Sequence, residues 1–302
     1  MNAIDIKELT KKFGKYHALD GLNLTVKSGE VFGFIGPNGA GKSTTIRLLL
    51  GMLRPTSGEA SIFGKDVWKD AVEIHRRIAY VPGDVNLWPH LTGGEVIDLL
   101  ANLHGTLNKN RRDELLALFQ LDPTKKCRTY SKGNRQKVAL VAAFSSEADL
   151  FLLDEPTSGL DPLMEQVFQD CVEEVKSEGK SVLLSSHILS EVERLCDRVG
   201  IIRNGRLIEC GTLSQLRHLT RTRLVVETRE TADSLMIWKG VHDAKQTENG
   251  WIFQADSDEL ETIMRQLSDY GILKLESAPP TLEDLFMRHY EQQDDSLKGR
   301  GQ

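Results

Sequence analysis

GPNGAGKS, Gly36 to Ser43, follows the apolar run Val31 to Ile35 and precedes a stretch in which Ile46, Leu49, Leu50 and Leu53 recur at helical spacing. The order is therefore strand, Gly-rich turn, helix. The eight residues match GxxxxGK[ST], a loop whose backbone cradles phosphates. Gly36, Gly39 and Gly41 let the chain curl so that N–H groups point at phosphate oxygens, with Pro37, Asn38 and Ala40 completing the turn. The helix that starts near Ser43 adds the positive end of its dipole. Lys42 is placed to reach the β- and γ-phosphates of ATP, the Ser43 hydroxyl to bind Mg²⁺, and Thr44 to hold the α-phosphate side. A Gly-rich turn with a lysine also arises by chance. The flanking strand and helix, and a second motif downstream, separate this one from that background.

The second motif is LFLLDE, Leu150 to Glu155, an apolar strand ending in two carboxylates. Paired acids at the end of a buried strand are costly unless a cation compensates them. Asp154 is expected to hold Mg²⁺, directly or through water, and Glu155 to orient or deprotonate the attacking water beside the γ-phosphate. An isolated LLDE would more often be a strand end facing solvent; its place after a phosphate loop reverses that preference. His187 ends a further apolar strand, Ser181 to Ser185, where a histidine can reach the γ-phosphate. Taken alone it would read as an ordinary surface histidine.

Around these motifs the chain alternates strands and helices. Ala3 to Leu9, Leu19 to Val26, Val31 to Ile35 and Glu59 to Phe63 read as strands separated by turn signals. A largely helical region runs from about Thr92 to Ser145. Leu150 to Leu153, Leu163 to Ser177 and Ser181 to Ser185 then give strand, helix, strand, which argues for a parallel sheet covered by helices. The character changes near residues 219–223. Beyond it the expected order is strand (Leu224 to Thr228), helix (Ala232 to Trp238), two strands (Ala244 to Gln246, Trp251 to Ala255), helix (Glu259 to Tyr270) and strand (Leu273 to Glu276). This βαββαβ order suits a small α+β, ferredoxin-like unit. After Pro279-Pro280 a last helix is expected, with Thr281 and Asp284 as a capping box and Leu282, Leu285 and Phe286 on one face. The expected domains are 1–220, with a helical subdomain at about 85–145, an accessory domain at 221–292, and a disordered tail at 293–302.

With 302 residues, 40% of them hydrophobic and 27% charged, the chain can bury two ordinary cores. A formal charge of -6 gives no electrostatic case for nucleic acid as a partner. The four cysteines lack metal-ligand or CxxC spacing and read as reduced cytosolic thiols. No signal-peptide pattern opens the chain, and no apolar run approaches the ~18 residues of a membrane span. Membrane association is expected to go through a partner.

The set of motifs resembles the nucleotide-binding subunits of ABC transporters over about Ala3 to Gln215. Tyr16 matches the aromatic residue that stacks on adenine; Gly36 to Ser43 the phosphate loop; Ser131, Lys132, Gly133 and Asn134, followed by Arg135, Gln136 and Lys137, the signature motif. Asp154 and Glu155 match the metal-binding and catalytic acids, Ser158 to Asp161 the loop that communicates across the dimer, and His187 the switch histidine. The resemblance implies a P-loop ABC ATPase fold: a parallel core sheet with helices, an N-terminal antiparallel β-subdomain and a helical subdomain. It also implies a head-to-tail dimer, as expected a homodimer, in which each MgATP lies between one phosphate loop and the partner's signature motif. A separate transmembrane permease would place the chain on the cytoplasmic face of the membrane. The C-terminal unit, with YVP and SSH, is similar to the exporters of drugs, antibiotics or polysaccharides.

The signature reads YSKGN where the family usually has LSGGQ, so the Lys132 side chain must point away or touch phosphate itself. Tyr80-Val81-Pro82 is normally followed by a glutamine that contacts Mg²⁺ and signals to the membrane subunit. Gly83 stands there, leaving Asp84 or water to fill the role. Two other classes of function compete with export. Ribosome- or DNA-acting ABC ATPases usually carry two cassettes or a long coiled coil, which this chain lacks. A mechanical ATPase acting on a partner without moving a solute is not separable from an exporter by sequence.

Overall fold

The computed structural model describes residues 1–103, 108–218 and 221–278. The chain divides into two compact units, Met1–Cys210 and a second that begins at Gly211.

In the first unit, β1 (Asn2–Phe13) and β2 (Tyr16–Lys27) form a long antiparallel pair. β3 (Val31–Ile35) leads into α1 (Lys42–Leu49). β4 (Ser57–Ile62) and β5 (Lys65–Asp66) join the first pair in the order β2-β1-β4-β5. α2 (Ala71–His75) and β6 (Ile78–Val81) precede three helices, α3 (Gly93–Leu103), α4 (Lys109–Leu118) and α5 (Lys132–Phe144). Then come β7 (Leu150–Asp154), α6 (Pro162–Ser177), β8 (Ser181–Ser186), α7 (Leu189–Leu195), β9 (Arg198–Arg203) and β10 (Arg206–Thr212).

The main sheet runs β10-β9-β3-β8-β7-β6, and the strands from β9 to β6 pair in parallel. Every residue of β3, β7 and β8 is buried. That explains why they appear in sequence as continuous apolar runs and not as alternation. Phe32, Phe34, Leu150, Leu152 and Leu183 from these strands share one core with Ile46 and Leu49 of α1 and with Ile4, Leu22 and Leu24 of the antiparallel sheet. The phosphate loop is thus anchored on both sides by the same packing.

In the second unit, α8 (Leu213–His218) precedes β11 (Thr222–Thr228), β12 (Val241–Thr247), β13 (Gly250–Ala255), α9 (Leu260–Asp269) and β14 (Ile272–Ala278). The antiparallel order is β12-β13-β11-β14, which is the ferredoxin-like arrangement. Trp251, Phe253, Leu224 and Val226 pack under Ile263 and Leu267 of α9. One element differs from expectation. Asp233–Ile237 is a short 3₁₀ helix, not an α-helix. Its apolar anchors, Ala232, Leu235 and Trp238, are spaced by three, and three residues per turn stacks them on the core. The expected last helix and the tail at 293–302 lie outside the described residues.

Candidate active site

The phosphate loop leaves β3 at Gly36. A Cβ on Gly36 would stand 2.3 Å from the Ile202 carbonyl oxygen, so only glycine lets the loop turn this tightly against β9. The α1 helix has no acidic residue in its first turn and Arg47 in its last, so nothing on the helix itself neutralises the field at its N-terminus. Ser43 and Thr44 are half-buried on that first turn. Lys42 is buried, and its Nζ donates to the Gly36 oxygen at 2.6 Å and the Pro37 oxygen at 3.3 Å. Burial pushes the Lys42 pKa down, against the opposing pull of Glu155 and Asp154. The Tyr16 hydroxyl donates to the Gly39 oxygen at 3.2 Å, which sets an exposed aromatic ring beside the loop.

The two acids emerge at the end of β7, next to β8 and in the sheet with β3. Asp154 is buried and its Oδ1 accepts a hydrogen bond from Ser185 Oγ of β8. Glu155 turns sharply. Its φ of 48° lies in the left-handed region, and its N–H donates to the Ser185 oxygen at 2.9 Å. That turn aims the carboxylate at a lysine and a histidine: Oε1 is 3.8 Å from Lys42 Nζ, and Oε2 is 3.4 Å from His187 Nδ1. Lys42, Asp154, Glu155 and His187 therefore converge where β3, β7 and β8 end, as the parallel sheet requires.

Among the described residues no group of three His, Cys, Asp or Glu side chains could hold a metal. One buried carboxylate and one hydroxyl are nonetheless the usual protein share of a Mg²⁺ site, where phosphate and water supply the rest. Asp154 and Ser43 fit that pattern. Asp84 is exposed and accepts from Asn86 Nδ2 at 3.5 Å. A Cβ on neighbouring Gly83 would lie 3.1 Å from the Asp154 carbonyl oxygen, so this backbone packs directly on the metal-side acid.

The 131–134 segment opens α5. Ser131 is its N-cap, with Oγ accepting from Asn134 N–H at 3.3 Å. Ser131 and Lys132 are exposed. Lys132 turns back along its own chain, and its Nζ donates to Ser158 Oγ at 2.7 Å. A Cβ on Gly133 would meet the Gly159 oxygen at 2.4 Å, so the 131–134 and 158–161 segments touch backbone to backbone. Asp161 caps α6 by accepting from Met164 N–H at 3.0 Å.

Comparison with known proteins identifies the family. An ABC transporter family model covers residues 19–158, and a second, for the C-terminal domain of DrrA1-3-like ATP-binding proteins, covers 211–290. The bacitracin transport ATP-binding protein BcrA of Bacillus licheniformis is 33% identical across 94% of this chain and 96% of its own. The chain belongs to the ATP-binding subunits of the ABC transporter family. The daunorubicin resistance ATP-binding protein DrrA3 of Streptomyces coeruleorubidus is 35% identical across 94% and 95%. Among solved structures, an ATP-binding subunit of an ABC transporter has a TM-score of 0.68 at 36% identity, covering 72% of this chain and 92% of its own. The dimeric post-hydrolysis state of the ATP-binding cassette MJ0796, bound to ADP and Pi, has a TM-score of 0.64 at 27% identity, covering 70% and 98%. This protein is accordingly an ABC-type ATPase.

Three residues of the site take their roles from contacts that sequence does not show. Ser185 holds Asp154, Gln136 is buried and donates from Nε2 to the Pro156 oxygen at 2.9 Å, and Ser158 holds Lys132. Gln136 and Ser158 lie inside stretches already singled out, but only their contacts give them a role.

Proposed function

We propose that this ABC ATPase energises export of a drug- or antibiotic-like compound through a separate membrane permease. The observation that carries the reading is the convergence of Lys42, Glu155 and His187 beside a helix N-terminus, with Ser131 and Lys132 of the 131–134 segment exposed elsewhere on the same unit. Gly36 to Thr44 hold the ATP phosphates, Lys42 exchanges its loop carbonyls for β- and γ-phosphate oxygens, and Tyr16 stacks on the base. Ser43 and Asp154 hold Mg²⁺, which when bound neutralises phosphate charge. Glu155 accepts a proton from the attacking water, and His187 donates to the γ-phosphate. Ser131, the Gly133 N–H and Asn134 meet the nucleotide of a second copy.

The permease docks in an apolar groove of about 580 Å³ lined by Met52, Val72, Tyr80, Trp88, Leu103 and Ala139. Met52, Val72, Trp88 and Leu103 are large apolar side chains exposed together, the mark of an interaction surface. Among the described residues no helix is long and apolar enough to cross a membrane. The accessory domain, 221–292, serves regulation or stabilisation of the dimer. Bacitracin transport and daunorubicin resistance in the relatives support the export reading.

The test is gel filtration of Glu155→Gln with and without MgATP, followed by co-purification of the wild-type chain with its membrane partner. An ATP-dependent dimer and a permease in the eluate are expected. A chain that stays monomeric with ATP bound would sink the shared-site reading.

A further inference from the structure

We propose that Glu191 is a positioning residue for ATP hydrolysis: through Ser186 it holds the turn that sets His187 against Glu155. The proposal rests on the reading of Glu155 and His187 as reacting groups.

His187 lies between the end of β8 and the start of α7, on a connection of two residues, His187 and Ile188. Ser186 Oγ binds this turn at both sides: it accepts from Ile188 N–H at 3.0 Å and donates to Glu191 Oε2 at 2.7 Å. A hydroxyl has one proton to give, so accepting one bond and giving the other fixes its orientation. Ser186 and Ile188 flank His187 in sequence, and the histidine ring itself is largely exposed beside Glu155. The hydroxyl and the carboxylate are both buried, Ser186 at 1% exposure and Glu191 at 5%.

Glu191 is an expensive choice for this place. Burial pushes its pKa up, with the Ser186 and Thr157 hydroxyls acting against that shift. Its second oxygen, Oε1, has no hydrogen-bond partner among the described residues, and neither has Gln169 Oε1. Both residues line one small polar cavity of about 210 Å³, together with Thr157, Glu165 and Arg194. Thr157 belongs to the turn that follows Glu155, where its carbonyl accepts from Leu160 N–H at 3.0 Å. The cavity thus lies beside both the turn behind Glu155 and the segment that carries His187, and Glu191 faces hydroxyls from each, with its hydrogen bond to Ser186 on the His187 side.

A helix-capping role does not account for the carboxylate. α7 has no side-chain cap hydrogen bond; Glu191 accepts from a side-chain hydroxyl instead of a backbone N–H of its own helix. What it organises is the approach to His187.

Steady-state ATPase assays on the full chain test this. Glu191→Ala should lower kcat on the order of a hundredfold, the cost of misplacing a reacting group by about 1 Å, while KM for ATP stays within about twofold. Glu191→Gln should keep most of kcat, since an amide oxygen still accepts from Ser186. In Glu191→Ala/His187→Ala, kcat should equal that of His187→Ala alone, because both changes remove one function. Ser186→Ala removes the same hydrogen bond without creating a large cavity, and should reproduce the kcat loss if Glu191→Ala does not fold. Impaired His187→Ala with unimpaired Glu191→Ala and Ser186→Ala overturns the positioning role alone, as does a double variant whose loss is the product of the two. Normal turnover of His187→Ala overturns the reading of the histidine, and this proposal with it.

Discussion

Lys42 Nζ and Glu155 Oε1 lie 3.8 Å apart in a site where the lysine is buried and the carboxylate is not. Glu155 offsets part of the burial cost of the Lys42 charge. Lys42→Ala is expected to weaken ATP binding about tenfold or more, since it removes a phosphate contact in a sheltered site. Glu155→Gln is expected to leave ATP binding intact and to reduce kcat on the order of a hundredfold or more. Equilibrium nucleotide binding and single-turnover hydrolysis separate the two effects.

The same pair gives a pH prediction. Folding lowers the Lys42 pKa below 10.5, chiefly by burial, so the unfolded chain holds that proton more tightly. The contribution of this group to stability therefore rises as pH climbs through the folded pKa towards 10.5. Urea midpoints for wild type and Lys42→Met from about pH 8 to 10 should diverge in that sense, with the rise smaller in the variant.

Glu155 holds a left-handed backbone at φ 48°, a conformation that costs a side-chain-bearing residue about 1 kcal/mol. Glu155→Gly relieves that strain but gains freedom in the unfolded chain by about 0.5–1 kcal/mol. Stability should stay within about 1 kcal/mol of wild type, while hydrolysis is lost. Chemical denaturation beside an ATPase assay checks both halves of the statement.

Gly133→Ala places a methyl 2.4 Å from the Gly159 oxygen, so one of the two touching segments must move. ATP binding by the monomer should be unchanged, because Lys42 and its loop are not involved. Hydrolysis by the dimer should fall on the order of a hundredfold, as contacts to the partner's nucleotide lose their alignment. Filter binding at low protein concentration and turnover at high concentration give the two readings.

Val72→Glu puts a charge on the apolar groove at a residue that is 75% exposed. Stability should change by less than about 0.5 kcal/mol, the usual range for surface positions. Basal ATPase activity should persist and co-purification with the permease should fail.

Much of this was legible in the sequence because it lies in local patterns. Continuous apolar runs marked β3, β7 and β8, whose faces are both covered. The Gly-rich turn and the strand-end carboxylates marked, in the same way, the residues that come together where these strands end. What sequence did not carry was contact between distant segments. The partnership of Lys132 with Ser158 spans 26 positions and that of Ser185 with Asp154 spans 31, with no spacing rule to join them. The 3₁₀ segment Asp233–Ile237 is the instructive miss: apolar residues three apart fit an amphipathic α-helix loosely and a 3₁₀ turn closely, and only packing chose between them.

Gly83 lies against the Asp154 carbonyl, with 3.1 Å of room for a first side-chain carbon. That spacing makes the position a one-way step for protein engineering. Placing at this position the glutamine that the family resemblance implies asks the strand-end backbone to yield by a few tenths of an ångström before the new amide can reach any metal. A functional graft therefore couples the new side chain to the backbone it leans on, so varying position 83 together with the residues around Asp154 explores more of the working geometry than varying it alone.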